Sequence, residues 1–169
     1  MSGEEREEEM ERLWAPWRME YIRNADKVEG CIFCLFPAEQ EDEARLILLR
    51  GKYAFIILNA YPYSNGHLMI TPYRHTANLD DLSDEEMLEL MRLTRRAVNL
   101  LKKAFRPDGF NIGVNMGRVA GAGIADHVHI HVVPRWNGDT NFMPVLGDVR
   151  VMPESLEAVY RQLSEAMNE

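Results

Sequence analysis

The chain of 169 residues has five histidines, at positions 67, 75, 127, 129 and 131, and three of them alternate within five residues. In the run His127-Val128-His129-Ile130-His131-Val132-Val133, an extended backbone turns every second side chain to the same face. This makes a row of imidazoles on one side, with Val128, Ile130 and Val132 facing a core on the other. Imidazoles add little apolar burial and each needs a polar partner, so three in a row point to chemistry rather than packing. One option is a three-histidine metal centre. Its nitrogens would have to lie about 2.0–2.1 Å from one ion. Residues i and i+4 of a strand are roughly 13 Å apart at about 3.3 Å per residue, so a straight strand cannot converge all three. The other option gives the rings separate tasks, nucleophilic catalysis among them. A neutral imidazole, with an ordinary pKa of about 6.5, is a competent nucleophile near neutral pH.

Two further constellations carry chemistry. Directly before the histidine row, residues 115–126 (NMGRVAGAGIAD) supply glycines and backbone N–H groups suited to phosphate oxygens. Earlier, Cys31-Ile32-Phe33-Cys34 spaces two cysteines as C-x-x-C. Two cysteines are too few for a disulfide scaffold, and no βαβ pattern accompanies them as a redox motif would require. The pair is either half of a four-coordinate zinc site, needing two more ligands, or two buried thiols.

These residues need a frame. Arg45–Arg50 and Tyr53–Asn59 are apolar runs of strand length separated by Gly51-Lys52, the pattern of a hairpin. A polar loop, Tyr61–Gly66, leads to a third strand over His67–Thr71, closed by Pro72. Ser83 opens a helix through an S-x-x-E capping box with Glu86. Met87, Leu90, Met91, Thr94, Val98 and Leu101 follow at helical spacing, with the methionines assigned to the core, and Pro107 and Gly109 mark the end. Phe110–Asn115 and His127–Val133 supply two more strands, and Pro153 suits the first position of a closing helix, Glu154–Met167. The expected fold is α+β, with a mainly antiparallel five-stranded sheet, one long helix and a C-terminal helix.

Composition sets outer bounds. One domain over residues 13–169 is expected, preceded by an acidic segment, 1–12, disordered or helical. That segment holds six glutamates against two arginines, half of the net charge of −8. The acidic balance argues against a nucleic-acid surface. No apolar run approaches the roughly 20 residues of a membrane span. The N-terminus lacks the basic and apolar regions of a secretion signal, and the cysteine usage suits a reducing compartment, so the cytoplasm is expected.

The run from His127 to Val133 matches H-φ-H-φ-H-φ-φ (φ apolar) and resembles the signature of the histidine triad family of nucleotide hydrolases and transferases. The resemblance extends through Asn59, His67 and Asn115. With WAPWRMEYI near the start and HVVPRWNGDTNF after the row, it is most similar to the bacterial diadenosine tetraphosphate phosphorylase branch. It implies a histidine-triad fold and His129 as the nucleophile that forms a nucleotidyl-histidine, with His131 and His67 as rings that contact phosphate and hold the site. It implies that Asn59 binds ribose, that Ile57 and Met69 line the base pocket, and that Asn115, Gly121, Gly123 and His131 contact the substrate. Gly123 stands where the family commonly has a hydroxyl. The resemblance also implies a structural zinc on Cys31, Cys34, His75 and His127, magnesium accompanying the nucleotide, and a homodimer. Trp14, Trp17 and Trp136 are candidates for base stacking, core or subunit interface. Arg118 is either a phosphate contact or a surface charge; Arg135, Asn137 and Asn141 either hold an acceptor phosphate or cap the turn after the strand. The resemblance favours phosphate as the acceptor; the alternative is a hydrolase of dinucleoside polyphosphates or nucleoside phosphoramidates with water as acceptor. Two other classes remain: a low-turnover nucleotide-binding regulator, and a hydrolase using a metal-bound water on the histidine row.

Overall fold

The computed structural model describes residues 29–142, 146 and 151–168. The acidic segment, Trp14 and Trp17 lie outside them. A helix α1 (Ile32–Glu39) precedes strands β1 (Ile47–Arg50), β2 (Ala54–Leu58) and β3 (Leu68–Pro72). The long helix α2 (Asp84–Phe105), strands β4 (Gly109–Val114) and β5 (Ile130–Arg135), and helix α3 (Leu156–Asn168) complete the described order, with single 3-10 turns at Leu79–Asp81 and Arg118–Ala120. The sheet is antiparallel throughout, in the order β1-β2-β3-β5-β4. The expected α+β architecture is present.

Alternation along the central strands builds two apolar layers. Ala54, Ile56 and Leu58 of β2, Leu68 and Ile70 of β3, and Ile130 and Val132 of β5 pack with Leu90, Leu93, Ala97 and Leu101 of α2 and Leu163 of α3. On the other face Phe55, Ile57 and Met69 meet Ile47 and Phe33 of α1. Both faces of β2 and β3 are covered, and every residue of those strands is buried. The histidine row occupies that second face.

The capping box at the start of α2 is complete. Ser83 Oγ accepts from the Glu86 N–H at 3.2 Å, and the Ser83 N–H donates to the Glu86 carboxylate at 2.7 Å. The buried stripe of α2 is rotated from the one the sequence suggests. It runs through Leu90, Leu93, Thr94, Ala97, Leu100 and Leu101, and leaves Met91 56% exposed. Ala97 is fully buried, and Leu93 and Leu100 are buried on the same side of the helix. At the other end of the chain, α3 begins at Leu156 rather than Glu154. Ser155 Oγ accepts from the Ala158 N–H, so the serine cap sets the start in place of Pro153. The hairpin between β1 and β2 is as expected, but its loop spans three residues, 51–53.

Gly66, directly before His67, has φ +76, and a Cβ there would lie 2.9 Å from Leu101 Cδ2. A side chain would be strained by the backbone and crowded by α2. Gly66→Ala is therefore expected to cost about 1–3 kcal/mol of stability, measured by urea unfolding, through a combination of unfavourable φ and overpacking.

Candidate active site and metal cluster

The segment carrying the three histidines enters the sheet later than the sequence suggests. Ladder pairing starts at Ile130, against Ile70 and Val114. Residues before it are pinned elsewhere: the Val128 N–H donates to the Thr76 carbonyl at 2.7 Å, and the Thr71 hydroxyl donates to the Val128 carbonyl at 3.3 Å. This holds the stretch extended, so the alternation survives. Val128, Ile130 and Val132 join the main core, while His127, His129 and His131 form a buried row with 0%, 4% and 9% exposure.

Neighbours fix which nitrogen of each ring carries the proton. His129 Nδ1 lies 2.9 Å from the His127 carbonyl oxygen, which can only accept, so Nδ1–H donates and the lone pair of the neutral ring is on Nε2. The Tyr63 N–H donates to His67 Nδ1 at 3.1 Å, which places the His67 proton on Nε2. That Nε2–H donates to His131 Nδ1 at 2.9 Å, so neutral His131 carries its own proton on Nε2. The row therefore presents a nucleophilic nitrogen on His129 and a donor on His131, with ring centroids 4.7 Å apart. Burial pushes the His129 pKa below its ordinary value and favours the neutral, nucleophilic form.

The first triad histidine serves a second centre. Ligand atoms of Cys31, Cys34, His75 and His127 all lie within 4.8 Å of one another. His127 Nδ1 is 3.2 Å from Cys31 Sγ, 3.6 Å from Cys34 Sγ and 3.2 Å from His75 Nδ1, and His75 Nδ1 is 3.4 Å from Cys34 Sγ. Metal–ligand bonds of about 2.0–2.3 Å in a tetrahedron give N–N and N–S edges of about 3.3–3.6 Å, close to these four separations. His127 Nε2–H donates to the Pro72 carbonyl at 2.8 Å and directs the Nδ1 lone pair into the cluster. Burial, with His75 and His129 nearby, lowers the His127 pKa and keeps the ring neutral, as a ligand must be. Without a cation, burial and the adjacent Cys31 push the Cys34 thiol up to about 11; a metal ion would supply the charge that favours thiolate.

The sequence does not signal the helix that delivers the cysteines. Cys31 is the N-cap residue of α1, with its thiol turned to the cluster rather than to the helix amides, and Cys34 lies in the first turn. Phe33 between them is fully buried, with its ring 5.4 Å from His127 and 5.0 Å from His129. Nor does the sequence mark Tyr63 and Pro72 as partners, because both act through backbone atoms.

Other expected site residues fall as follows. Ile57 and Met69 pair across β2 and β3 on the histidine face, and Met69 is in register with His131. Asn59 follows β2; its N–H donates to the His67 carbonyl, and its Oδ1 accepts from the Tyr61 N–H. Asn115 directly follows β4. Gly121, at φ +87, closes the 3-10 turn, with its N–H donating to the Arg118 carbonyl. Gly123 follows two residues later in the exposed part of the loop. Arg135 is bound to the Asp139 carboxylate and Asn111 Oδ1, and holds the Asp139 carboxyl well below the usual carboxylate range. The Asn137 N–H donates to Asp108. For these two residues, capping of the turn after β5 accounts for the contacts.

The buried imidazole row with fixed tautomers lies beside a Cys₂His₂ cluster on an antiparallel α+β frame. The HIT domain model matches residues 40–138, and the chain belongs to that family, the histidine triad family. It is similar to a protein named AP-4-A phosphorylase from Mycobacterium tuberculosis (strain ATCC 25618 / H37Rv), at 42% identity over 164 residues, covering 93% of this chain and 84% of that one. It is also similar to adenosine 5'-monophosphoramidase hnt1 of Schizosaccharomyces pombe (strain 972), at 28% identity over 80% of this chain and 96% of that one. Among solved structures, a zinc-bound histidine triad family protein from Mycobacterium smegmatis superposes with a TM-score of 0.67 at 28% identity, covering 82% of this chain and 94% of that one.

Protein purified without added metal is expected to carry about one zinc per chain, as a closed four-ligand site requires. His75→Ala should lose the metal and lower the melting temperature. Elemental analysis and thermal unfolding check both; metal-free protein with two titratable thiols would exclude the site.

Proposed function

We propose that the chain is a nucleotidyltransferase that cleaves dinucleoside polyphosphates of the diadenosine tetraphosphate type through His129, with inorganic phosphate as the acceptor. The observation that carries this reading is the His129 tautomer, with Nδ1–H on the His127 carbonyl and the lone pair on Nε2. The relative named AP-4-A phosphorylase, alike over most of both chains, supports the substrate class.

The chemistry proceeds in two displacements. His129 Nε2 attacks the α-phosphorus, a P–N bond forms, and the P–O bond to the remaining phosphates breaks, its electron pair leaving with ATP. A polyphosphate leaving group needs little protonation, so no strong general acid is demanded. Charge building on the nonbridging oxygens is met by the Nε2–H of His131, held in place by His67, and by amides of the glycine loop at Gly121 and Gly123, that of Gly121 only if its bond to Arg118 is released. An oxygen of inorganic phosphate then attacks the same phosphorus, the P–N bond breaks, and its electron pair returns to Nε2 with ADP as product. Asn59 is assigned to the ribose, Ile57 and Met69 to the base, and Asn115 to the substrate beside the loop.

The Cys31, Cys34, His75 and His127 centre is assigned to zinc in a structural role, and magnesium is assigned to the polyphosphate. The zinc-bound relative supports the first assignment. One catalytic domain over residues 13–169 is proposed, working as a homodimer in the cytoplasm. β4 is an edge strand with Ile112 half-exposed, a surface suited to a second copy. No described helix is long and apolar enough to cross a membrane.

His129→Ala is expected to lower turnover by at least about 10³-fold while nucleotide binding is retained, because the nucleophile acts only in the chemical step. Near-normal kcat would remove the assignment. With diadenosine tetraphosphate and millimolar phosphate, ATP and ADP should be the main products; without phosphate, slow release of AMP and ATP should dominate. If AMP stays the main product at an unchanged rate, water is the acceptor and the histidine chemistry stands.

A further inference from the structure

Phe33 is fully buried and belongs to the apolar layer with Ile47, Phe55, Ile57 and Met69, yet it also meets the histidines. Its ring packs on two members of the histidine row at once: edge-on to His127 at 5.4 Å and 71°, and tilted against His129 at 5.0 Å and 54°. His131 contacts His129 at 4.7 Å, so the His129 ring touches both Phe33 and its triad neighbour. Hydrogen bonding alone does not fix such a ring. One bond, Nδ1–H to the His127 carbonyl, still allows the imidazole to swing about it, and a rotated ring carries the Nε2 lone pair away from its target. The cysteines flanking Phe33 place two donors in the metal cluster, and His127 supplies a third. The knuckle that gathers the cluster therefore also sets where the Phe33 ring stands.

We propose that Phe33 is a positioning residue for the nucleophile, holding the His129 imidazole in the orientation that keeps Nδ1–H on the His127 carbonyl and Nε2 aimed at phosphorus. The proposal rests on His129 being the nucleophile. Phe33 has no reactive group of its own; it acts by restricting the ring that does. An orientation error of this kind falls on the chemical step, because displacements of about 1 Å in a reacting group can cost roughly 10²-fold in rate.

Phe33→Leu and Phe33→Met keep an apolar side chain at the site and remove the ring. Both are expected to retain the metal and melt within a few degrees of the parent. They should show kcat lowered about 10- to 100-fold with KM nearly unchanged. The imidazole ¹⁵N spectrum of His129, recorded without substrate, should lose its single Nδ1–H form and show both tautomers. Rates within twofold of the parent in both variants would overturn the proposal. So would an unchanged His129 spectrum, whatever the turnover. That spectrum does not depend on catalysis, whereas failure of the nucleophile assignment shows itself separately as an active His129→Ala protein.

Discussion

An imidazole taken out of water must find a partner for its polar nitrogens, and this constraint organises the site. His67, His127, His129 and His131 are each less than a tenth exposed, and an unmatched polar group at such depth costs on the order of 1–3 kcal/mol. His131 meets the His67 ring, and the other three find backbone atoms already in place. The Tyr63 amide serves His67, the Pro72 carbonyl serves His127, and the His127 carbonyl serves His129. Each solution also fixes a tautomer, so satisfying the buried rings and preparing them for chemistry are one event. The β2–β3 loop, the end of β3 and the approach to β5 are held to these positions by the same bonds.

The two faces of the sheet divide the work. Helices α2 and α3 cover one face with aliphatic side chains, while α1 and the histidine row share the other. A single segment, 127–133, must serve both, and period-two alternation is the only regular backbone arrangement that does so. A shift of one residue would bring Val128 and Ile130 to the cluster and bury three imidazoles under α2. The bond from the Val128 amide to Thr76 and the ladder from Ile130 onward fix the register from both ends.

Much of this was legible in the sequence because the informative signals are local. The alternation in HVHIHVV, the S-x-x-E cap at Ser83 and the strand–turn–strand pattern around Gly51 each depend on a few neighbouring residues. The four cluster residues were reached by resemblance, and their convergence follows from contacts spanning as many as 96 positions. What escaped the sequence depends on atoms that carry no residue identity or on packing between distant elements. The Tyr63 amide and the Pro72 carbonyl could belong to any residue. Met91 has the right spacing for a buried stripe, but α2 turns Leu93, Ala97 and Leu100 to the sheet and leaves it in solvent. Helix α1 is short and contains Pro37, a poor helix signal, so the cysteines gave no hint that a helix begins at Ile32. Arg135 read equally well as an anion contact until Asp139 and Asn111 occupied its guanidinium.

The cluster also decides between two roles for histidine. Cys31, Cys34, His75 and His127 bring four protein donors within 4.8 Å of one another, and a zinc ion held by all four has no open position for a water nucleophile. This weighs against a hydrolase that activates water on the metal. It gives the first triad histidine to the cluster and leaves the second outside it. The division follows the hydrogen bonds: His127 Nε2–H donates to the Pro72 carbonyl and turns Nδ1 to the cluster, while the His127 carbonyl accepts from His129 Nδ1. His127 thus acts twice, through Nδ1 towards the cluster and through its carbonyl oxygen towards His129. Any ligand set that fixes His127 therefore also fixes the acceptor on which the His129 tautomer depends.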